Sequence, residues 1–312
     1  MKKFGILMIM AMLVILSACG NKNDEFNLES SITVYTRDTT SGTRSGFMDG
    51  IGFPEGATDD SLLVEGYVTK DNTGLLSAMT VDEYGIGYIS LSTLNDTVKG
   101  LYFEGVEPTE ANVIDDSYGL KRPFMWMLRE AGDYDNQTVE DLVEAFIAFL
   151  GTSDASDIIN NAGAIALPTS ITWDSIKNDY PVTQQDNASV TVRFGGSDSI
   201  QKVAEAITTA FTAKAGNFVA EHEHTGSGDA YKRTNDATIK DTSVGKDVGF
   251  SSRPFKANEL IGIEETQIGQ LAWDAIVAII HKNNPVNNVT AEDLKNIYNG
   301  TYTTWADVPE GA

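Results

Sequence analysis

The stretch Arg37-Asp38-Thr39-Thr40-Ser41-Gly42-Thr43-Arg44 packs two arginines, four hydroxyl side chains and a glycine into eight residues, directly after the alternating run Ile32-Thr33-Val34-Tyr35. Such a composition suits the holding of an anion. A strand that breaks at a Ser-Gly-Thr turn and restarts as a helix aims backbone N–H groups and hydroxyls at one point, and an arginine at the strand's end adds charge. A plain helix cap would explain one such turn. Here several turns of the same character recur: Gly195-Gly196-Ser197-Asp198-Ser199-Ile200, Gly226-Ser227-Gly228, and Val248-Gly249-Phe250-Ser251-Ser252-Arg253. An oxyanion leaving water loses strong hydration, so nearly every oxygen must receive a donor, and small hydroxyl-bearing turns supply donors densely. Asp38 either orients an arginine or is a solvated loop carboxylate. Arg44 reads as a surface helix residue, and Arg253 is left without a role.

Other chemistries fit less well. The chain has no Gly-x-Ser-x-Gly elbow, and His222, His224 and His281 do not have the spacing of a catalytic triad. His222 and His224 would share a strand face, but no carboxylate or cysteine completes a metal-ligand set, so the expectation is a solvated pair and no metal site. Gly245-Lys246 lacks the glycine and hydroxyl of a phosphate-binding P-loop. The reading is a binding protein, not an enzyme, with no cofactor.

The elements that position these turns alternate between strand-like and helix-like segments, which predicts an α/β fold. Short apolar runs at 86–90, 98–103, 189–194, 247–250 and 274–280 read as strands. Thr138 with Asp141 opens a helix along Val139, Leu142, Val143, Phe146 and Leu150. A second helix runs from about Ser199 to Phe211, and a third starts at Thr290 with Leu294 and Ile297 on its buried side. The stretch 169–189, with Pro181 and many polar residues, reads as a connector.

Residues 1–19 read as a secretory leader: Lys2 and Lys3, an apolar run from Phe4 to Leu16, then Leu16-Ser17-Ala18-Cys19, a lipobox whose cysteine would become lipidated. Cys19 is the only cysteine, which excludes disulfides within the chain and thiolate metal sites. Segment 20–30 would be a tether to the membrane. The formal charge of −23 becomes −25 once Lys2 and Lys3 leave with the leader, and so strongly acidic a chain argues against a nucleic-acid partner. An anion must then be held by local donors, because the long-range field repels it.

Together these motifs resemble the phosphate-binding proteins of ABC transporters. Gly196-Ser197-Asp198-Ser199-Ile200-Gln201 is similar to that family's first-lobe Gly-Ser-Thr-Ser-Val loop, and Gly226-Ser227-Gly228 to its Gly-Ser-Gly turn. Asp247-Val248-Gly249-Phe250-Ser251-Ser252-Arg253 resembles its Asp-Ile-Gly-Met-Ser-Ser-Arg stretch, with Ser252 where some members have aspartate. Arg37, Ser41, Gly42 and Thr43 match the second-lobe loop. Asn284 through Thr290, Ile297-Tyr298-Asn299-Gly300 and Trp305 resemble the segment that ordinarily precedes the arginine loop, yet here they run to the C-terminus. Gly85 through Ile89, and Tyr118 through Phe124, resemble later segments but come early. The order is exchanged, as in a circular permutation.

The resemblance implies a two-lobed periplasmic-binding-protein-like fold (type II), circularly permuted. One binding domain would span 31–312. The lobe with the arginine loop would take 31–120 and 275–312, the other lobe 121–274, including the 169–189 connector. It implies a monomeric lipoprotein, extracytoplasmic and anchored to the cell membrane through Cys19. Its ligand would be inorganic phosphate, bound by Arg37, Ser41, Gly42, Thr43, Ser197, Asp198, Ser199, Ser227 and Ser252, and its partners the ABC permease subunits. Alternatives are another oxyanion (sulfate, molybdate or a phosphonate), or a phosphate-sensing or adhesive surface lipoprotein. Asp198 stands where the resembling loop has threonine. It would cap the following helix, repel the ligand, or accept a hydrogen bond from a protonated phosphate oxygen, and the last reading is favoured.

Overall fold

Helices form where apolar residues recur at helical spacing behind a capping side chain. The computed structural model describes residues 26–309; the leader, Cys19 and residues 20–25 of the tether lie outside the described residues. The helix Gln137–Leu150 buries Val139, Leu142, Val143, Phe146 and Phe149. Its cap is Asn136, whose side chain accepts from the Val139 N–H, while Asp141 accepts from the Gln137 side chain instead of serving Thr138. The helix Gln201–Thr212 buries Val203, Ile207 and Phe211. It starts two residues later than the pattern suggested, which leaves Ser199 outside the helix. The helix Ala291–Tyr298 begins behind Thr290, which forms a reciprocal capping box with Asp293.

Two strands differ from the sequence reading. The run at 274–280 is only the second half of a thirteen-residue strand, Ile268–Ile280. Its first half mixes Gly269 and Gln270 with apolar residues and so hides its period. The run at 98–103 splits into Lys99–Gly100 and Tyr102–Phe103, because Leu101 N–H donates to Ala278 and Tyr102 N–H donates to Asn287, carrying the chain from one sheet to another. The 169–189 stretch is not bare coil. It holds the short helix Trp173–Ile176, and it buries Trp173 and Val182.

The main sheet runs in the order Val68–Thr69, Thr33–Thr36, Gly85–Ser90, Ile268–Ile280, Lys121–Leu128, Val248–Ser251, Thr191–Gly196, Val219–His224. The first three strands are mutually parallel, and so are the last three. Between these blocks the 121–128 and 268–280 strands pair antiparallel, with Asp274 opposite Arg122. The long strand pairs through Ile268–Ala275 with 121–128 and through Ile276–Ile280 with 85–90, so one strand spans both blocks.

Each block has its own apolar core, which gives the two-lobed periplasmic-binding-protein fold. One core gathers Phe47, Tyr88, Ile276, Ile280, Leu294, Tyr298 and Trp305. The other gathers Phe124, Phe146, Phe194, Phe211, Phe250 and Leu271, with Trp173 from the connector. Residues on both sides of 169–189 therefore share one core and are not split there into separate domains. The two ends of the described chain meet in the lobe that carries Arg37, the first lobe in this chain's own order although its arginine loop resembles the family's second-lobe loop: Ile32 N–H donates to Thr303, Ala306 N–H donates to Leu28, and Ser31 bridges Thr304.

Phe211 anchors the second core. It lies 5.2 Å from Phe149 and 5.6 Å from both Phe146 and Trp173 between ring centroids. Phe211→Ala should lower unfolding stability by about 3–5 kcal/mol, the usual result of emptying an aromatic site in a close-packed core. Urea unfolding followed by tryptophan fluorescence measures it, with Trp173 as the local reporter.

Candidate functional site

Arg37 follows the 33–36 strand and is fixed from its backbone outward. Its N–H donates to the Tyr88 hydroxyl at 3.2 Å, which is also bonded to Thr36 at 2.8 Å. Burial pushes the Tyr88 hydroxyl pKa up, so it stays protonated. Phe47, on the helix Gly42–Gly50, stacks on Tyr88 at 4.0 Å. Arg44, on the same helix, is fully buried rather than at the surface. It donates to Arg37 O at 2.9 Å and to Gly56 O at 3.0 and 2.7 Å, and it pairs with Asp60 at 2.7 Å. Those acceptors lie in the 54–62 turns folded over the helix, which no local pattern announces. Asp38 does not orient an arginine. Its carboxylate accepts from Thr40 N–H at 2.8 Å and from the Thr40 hydroxyl at 2.5 Å, closing its own turn.

The second lobe supplies the facing loops. Gly196 adopts φ +105°, and a Cβ there would lie 2.1 Å from the Phe250 carbonyl, so only glycine lets the chain turn so close to the neighbouring strand. Ser197 then donates through its hydroxyl to Ser252 at 2.9 Å. Ser227 opens the helix Ser227–Thr234; its hydroxyl accepts from Ser252 N–H at 3.0 Å and lies 3.1 Å from the Ser252 hydroxyl. Arg253 forks onto Glu259 with two bonds of 2.8 Å and is tied up within this lobe.

The loops of the two lobes meet. Arg37 Nη2 donates to both Asp198 carboxylate oxygens, at 2.6 and 2.5 Å, and Nη1 donates to Thr43 Oγ1 at 3.3 Å. Thr43 Oγ1 lies 2.5 Å from Ser199 Oγ. Gly42 sits so close to the second lobe that a Cβ would lie 2.1 Å from Ser227 Oγ and 2.7 Å from Ser252 Oγ. Ser41 is buried at the helix start, where it accepts from Arg44 N–H at 3.4 Å. Arg37, Ser41, Gly42, Thr43, Ser197, Asp198, Ser199, Ser227 and Ser252 thus cluster, and Arg37 Nε is buried with no hydrogen-bond partner among the described residues. Asp198 does not cap the 201–212 helix: Ile200 holds the cap position with no side-chain bond, and the carboxylate turns across to Arg37.

Four nearby residues were given no place in the site by the sequence reading. Asn72 begins the helix Asn72–Met79, and its N–H reaches Asp198 at 3.4 Å. Arg122 donates to Asp274 through Nε at 2.9 Å and Nη2 at 2.8 Å, and Ser90 donates to the same carboxylate at 2.8 Å. Burial pulls the Arg122 guanidinium pKa down, Asp274 opposes this, and the charges of Arg37 and Asp198 also act on it. Arg122 lies in the 118–124 stretch that resembles a family segment, but no motif marks Asn72, Ser90 or Asp274. Their one local signal is Asp71 ahead of Asn72, an ordinary helix start.

Residues 181–312 match the PBP superfamily domain. Phosphate-binding protein PstS 2 of Streptococcus agalactiae is 26% identical over 321 residues, covering 99% of each chain. Its namesake in Streptococcus pneumoniae is 25% identical over 297 residues, covering 93% of this chain and 92% of its own. The crystal structure of a phosphate-binding protein of a phosphate ABC transporter from Streptococcus pneumoniae matches with a TM-score of 0.65 at 22% identity, over 90% of this chain and all of that one. The chain is PstS-like. Because the alignment with the Streptococcus agalactiae protein runs from end to end of both chains, the order of segments is common to both.

In this PstS-like chain the two histidines of the 219–224 strand form a relay beside the site, not a solvated pair. Thr208 Oγ1 lies 2.9 Å from His222 Nε2, His222 Nδ1 lies 3.1 Å from His224 Nε2, and His224 Nδ1 lies 3.0 Å from the Ser197 carbonyl. The rings stack on Phe194 and Phe250. Among the described residues no group of three or more His, Cys, Asp or Glu is placed to hold a metal. Burial, then the neighbouring His222, pull the His224 pKa down to about 4 from 6.5. Between these values the unfolded chain binds the proton and the folded one does not, so stability is fully present above pH 6.5 and falls as the pH drops toward 4. This group alone should remove about 2 kcal/mol between pH 7 and pH 5. Urea unfolding of the parent and His224→Gln at both pH values should show the smaller pH-dependent loss in the variant.

Proposed function

We propose that the protein captures inorganic phosphate between its two lobes and delivers it to an ABC permease. The observation that carries this reading is the convergence, from both lobes, of a buried arginine and the hydroxyls of Thr43, Ser197, Ser199, Ser227 and Ser252. The names of the streptococcal relatives support the same ligand. Thr43 and Ser199 bond across the gap, while Ser197 and Ser227 each bond Ser252 within one lobe, so each hydroxyl can rotate to a phosphate oxygen without leaving a buried group unpaired. A ligand held by both lobes favours the closed form, and closure is the signal a permease can read.

The same reading divides the chain into a lobe of 31–120 with 275–312 and a lobe of 121–274, joined by the 121–128 and 268–280 strands. It takes the order of segments as a circular permutation of the family's ordinary order. It assigns Cys19 as the lipid anchor, the protein as an extracytoplasmic monomer, and no catalytic role to any residue.

Calorimetric titration of protein stripped of bound anion, with phosphate and then sulfate, tests the ligand. Phosphate at a hundredfold excess over its dissociation constant should stabilise the fold by about 2.7 kcal/mol, read as a thermal shift; no shift at millimolar phosphate would sink the assignment. Arg37→Ala should weaken phosphate binding by about a hundredfold or more, because it leaves a desolvated anion without its counter-charge. Gly42→Ala should also weaken it, by about tenfold or more, since the added methyl group meets Ser227 and Ser252 and holds the lobes apart. Its urea midpoint should barely move.

A further inference from the structure

The carboxylate of Asp198 sits where an incoming anion would be held, and it comes from the protein itself. It takes both bonds of Arg37 Nη2 and the N–H at the start of the 72–79 helix, all donors of the opposite lobe. It contributes nothing to the helix that follows it in sequence. Arg37 is buried, whereas the Asp198 side chain keeps 14% of its surface exposed, on a groove of about 560 Å³ that it shares with Asn72, Thr73, Ser199, Lys202 and Glu205. The carboxylate is thus the solvent-side partner of the pair and can be displaced toward the groove.

We propose that Asp198 is an internal competitor of the ligand: a latch that neutralises Arg37 and holds the lobes together when no anion is bound. The inference rests on phosphate being the ligand of this same site. Two further contacts close the lobes beside the latch, Thr43 to Ser199 and Lys202 Nζ to the Ser92 carbonyl at 2.9 Å. Closure therefore has a polar interface satisfied by the chain alone. The latch is incomplete in one respect. Asp198 engages only Nη2, and Arg37 Nε stays buried without a partner. A tetrahedral oxyanion that reaches Nε as well, together with the hydroxyls, makes bonds that the carboxylate does not, and so displaces it. The apparent affinity for phosphate is then the intrinsic affinity reduced by the cost of opening the Arg37–Asp198 pair, as for any binding state that must first be freed from an internal contact.

The test compares the parent with Asp198→Asn, Asp198→Thr and Lys202→Gln, all stripped of bound anion. Without ligand, amide hydrogen exchange at Asn72–Gly74 and Ser197–Gln201 should be faster in both Asp198 variants than in the parent, and small-angle scattering should show a less compact molecule. With phosphate, calorimetry should show the Asp198 variants binding tighter by about tenfold or more, equivalent to roughly 1.4 kcal/mol. Lys202→Gln loosens the interface but leaves Arg37 paired, so its phosphate affinity should not rise. An equal rise there would attribute the effect to loosening and overturn the competition. Weaker phosphate binding in the Asp198 variants would make Asp198 a ligand-holding acceptor and overturn the latch, as would unchanged exchange. If none of the proteins binds phosphate, the assigned ligand fails, and the ligand-free exchange measurement still decides the latch.

Discussion

The two lobes are joined through a single antiparallel pair of strands, and the buried ion pair between Arg122 and Asp274 sits where those strands pass from one lobe to the other. Both charges are almost wholly buried. A buried pair offsets its desolvation only when its remaining donors and acceptors are met, and removing one partner costs about 3–5 kcal/mol. Ser90 helps meet the carboxylate from the first lobe, and Ser92 bonds Ser90 in turn. Leu120 and Ile276 at one end of the crossing strands belong to the first core, and Phe124 and Leu271 beyond the pair belong to the second. The charges thus mark the neck between two apolar cores, with the Phe124 ring 5.6 Å from the Arg122 guanidinium.

That neck governs what the site can be. The clustered hydroxyl-bearing loops are carried at strand ends and helix starts on both sides of it, so their distances are set by how the lobes meet and not by either lobe alone. A strongly acidic protein adds a second restriction: positive charge near the site must be few, buried and precisely held. Arg37 is held from behind by Tyr88 and by Arg44, which spends its own charge on carbonyls and Asp60. Hydroxyls supply the rest, and a hydroxyl that bonds a neighbouring hydroxyl avoids the penalty of an unmet buried donor.

Much of this was legible in the sequence because it is local. The Ser41-Gly42-Thr43 cap, the Gly196 turn and the Thr290 box each declare themselves within four residues, and the alternation of patterns gives the fold class. What was not legible depends on tertiary contact. Arg44 reads as a surface residue because its acceptors come from the 54–62 turns, which fold back over it. Asp38 was open to an arginine partner until its own turn claimed it. The histidine pair looked solvated because the Ser197 carbonyl and Thr208 that satisfy it lie on other elements. Asp198, one position inside a recognisable loop, gave no sign that its partner would be 161 residues away in the other lobe.

The order of segments obeys the same separation of local from global. Each parallel block is built from strands whose connections close within one lobe, and the two ends of the described chain lie side by side at Ser31 and Thr304. Moving the break in the chain from one surface loop to another changes no pairing in either block, provided that the old ends can be joined. The 169–189 stretch carries Trp173, which is bound into the second core by Phe149 and Phe211. A bare linker there would leave a face of that core open to water. The buried tryptophan makes this stretch part of the lobe, and one core, not two half-cores, takes residues from either side of it.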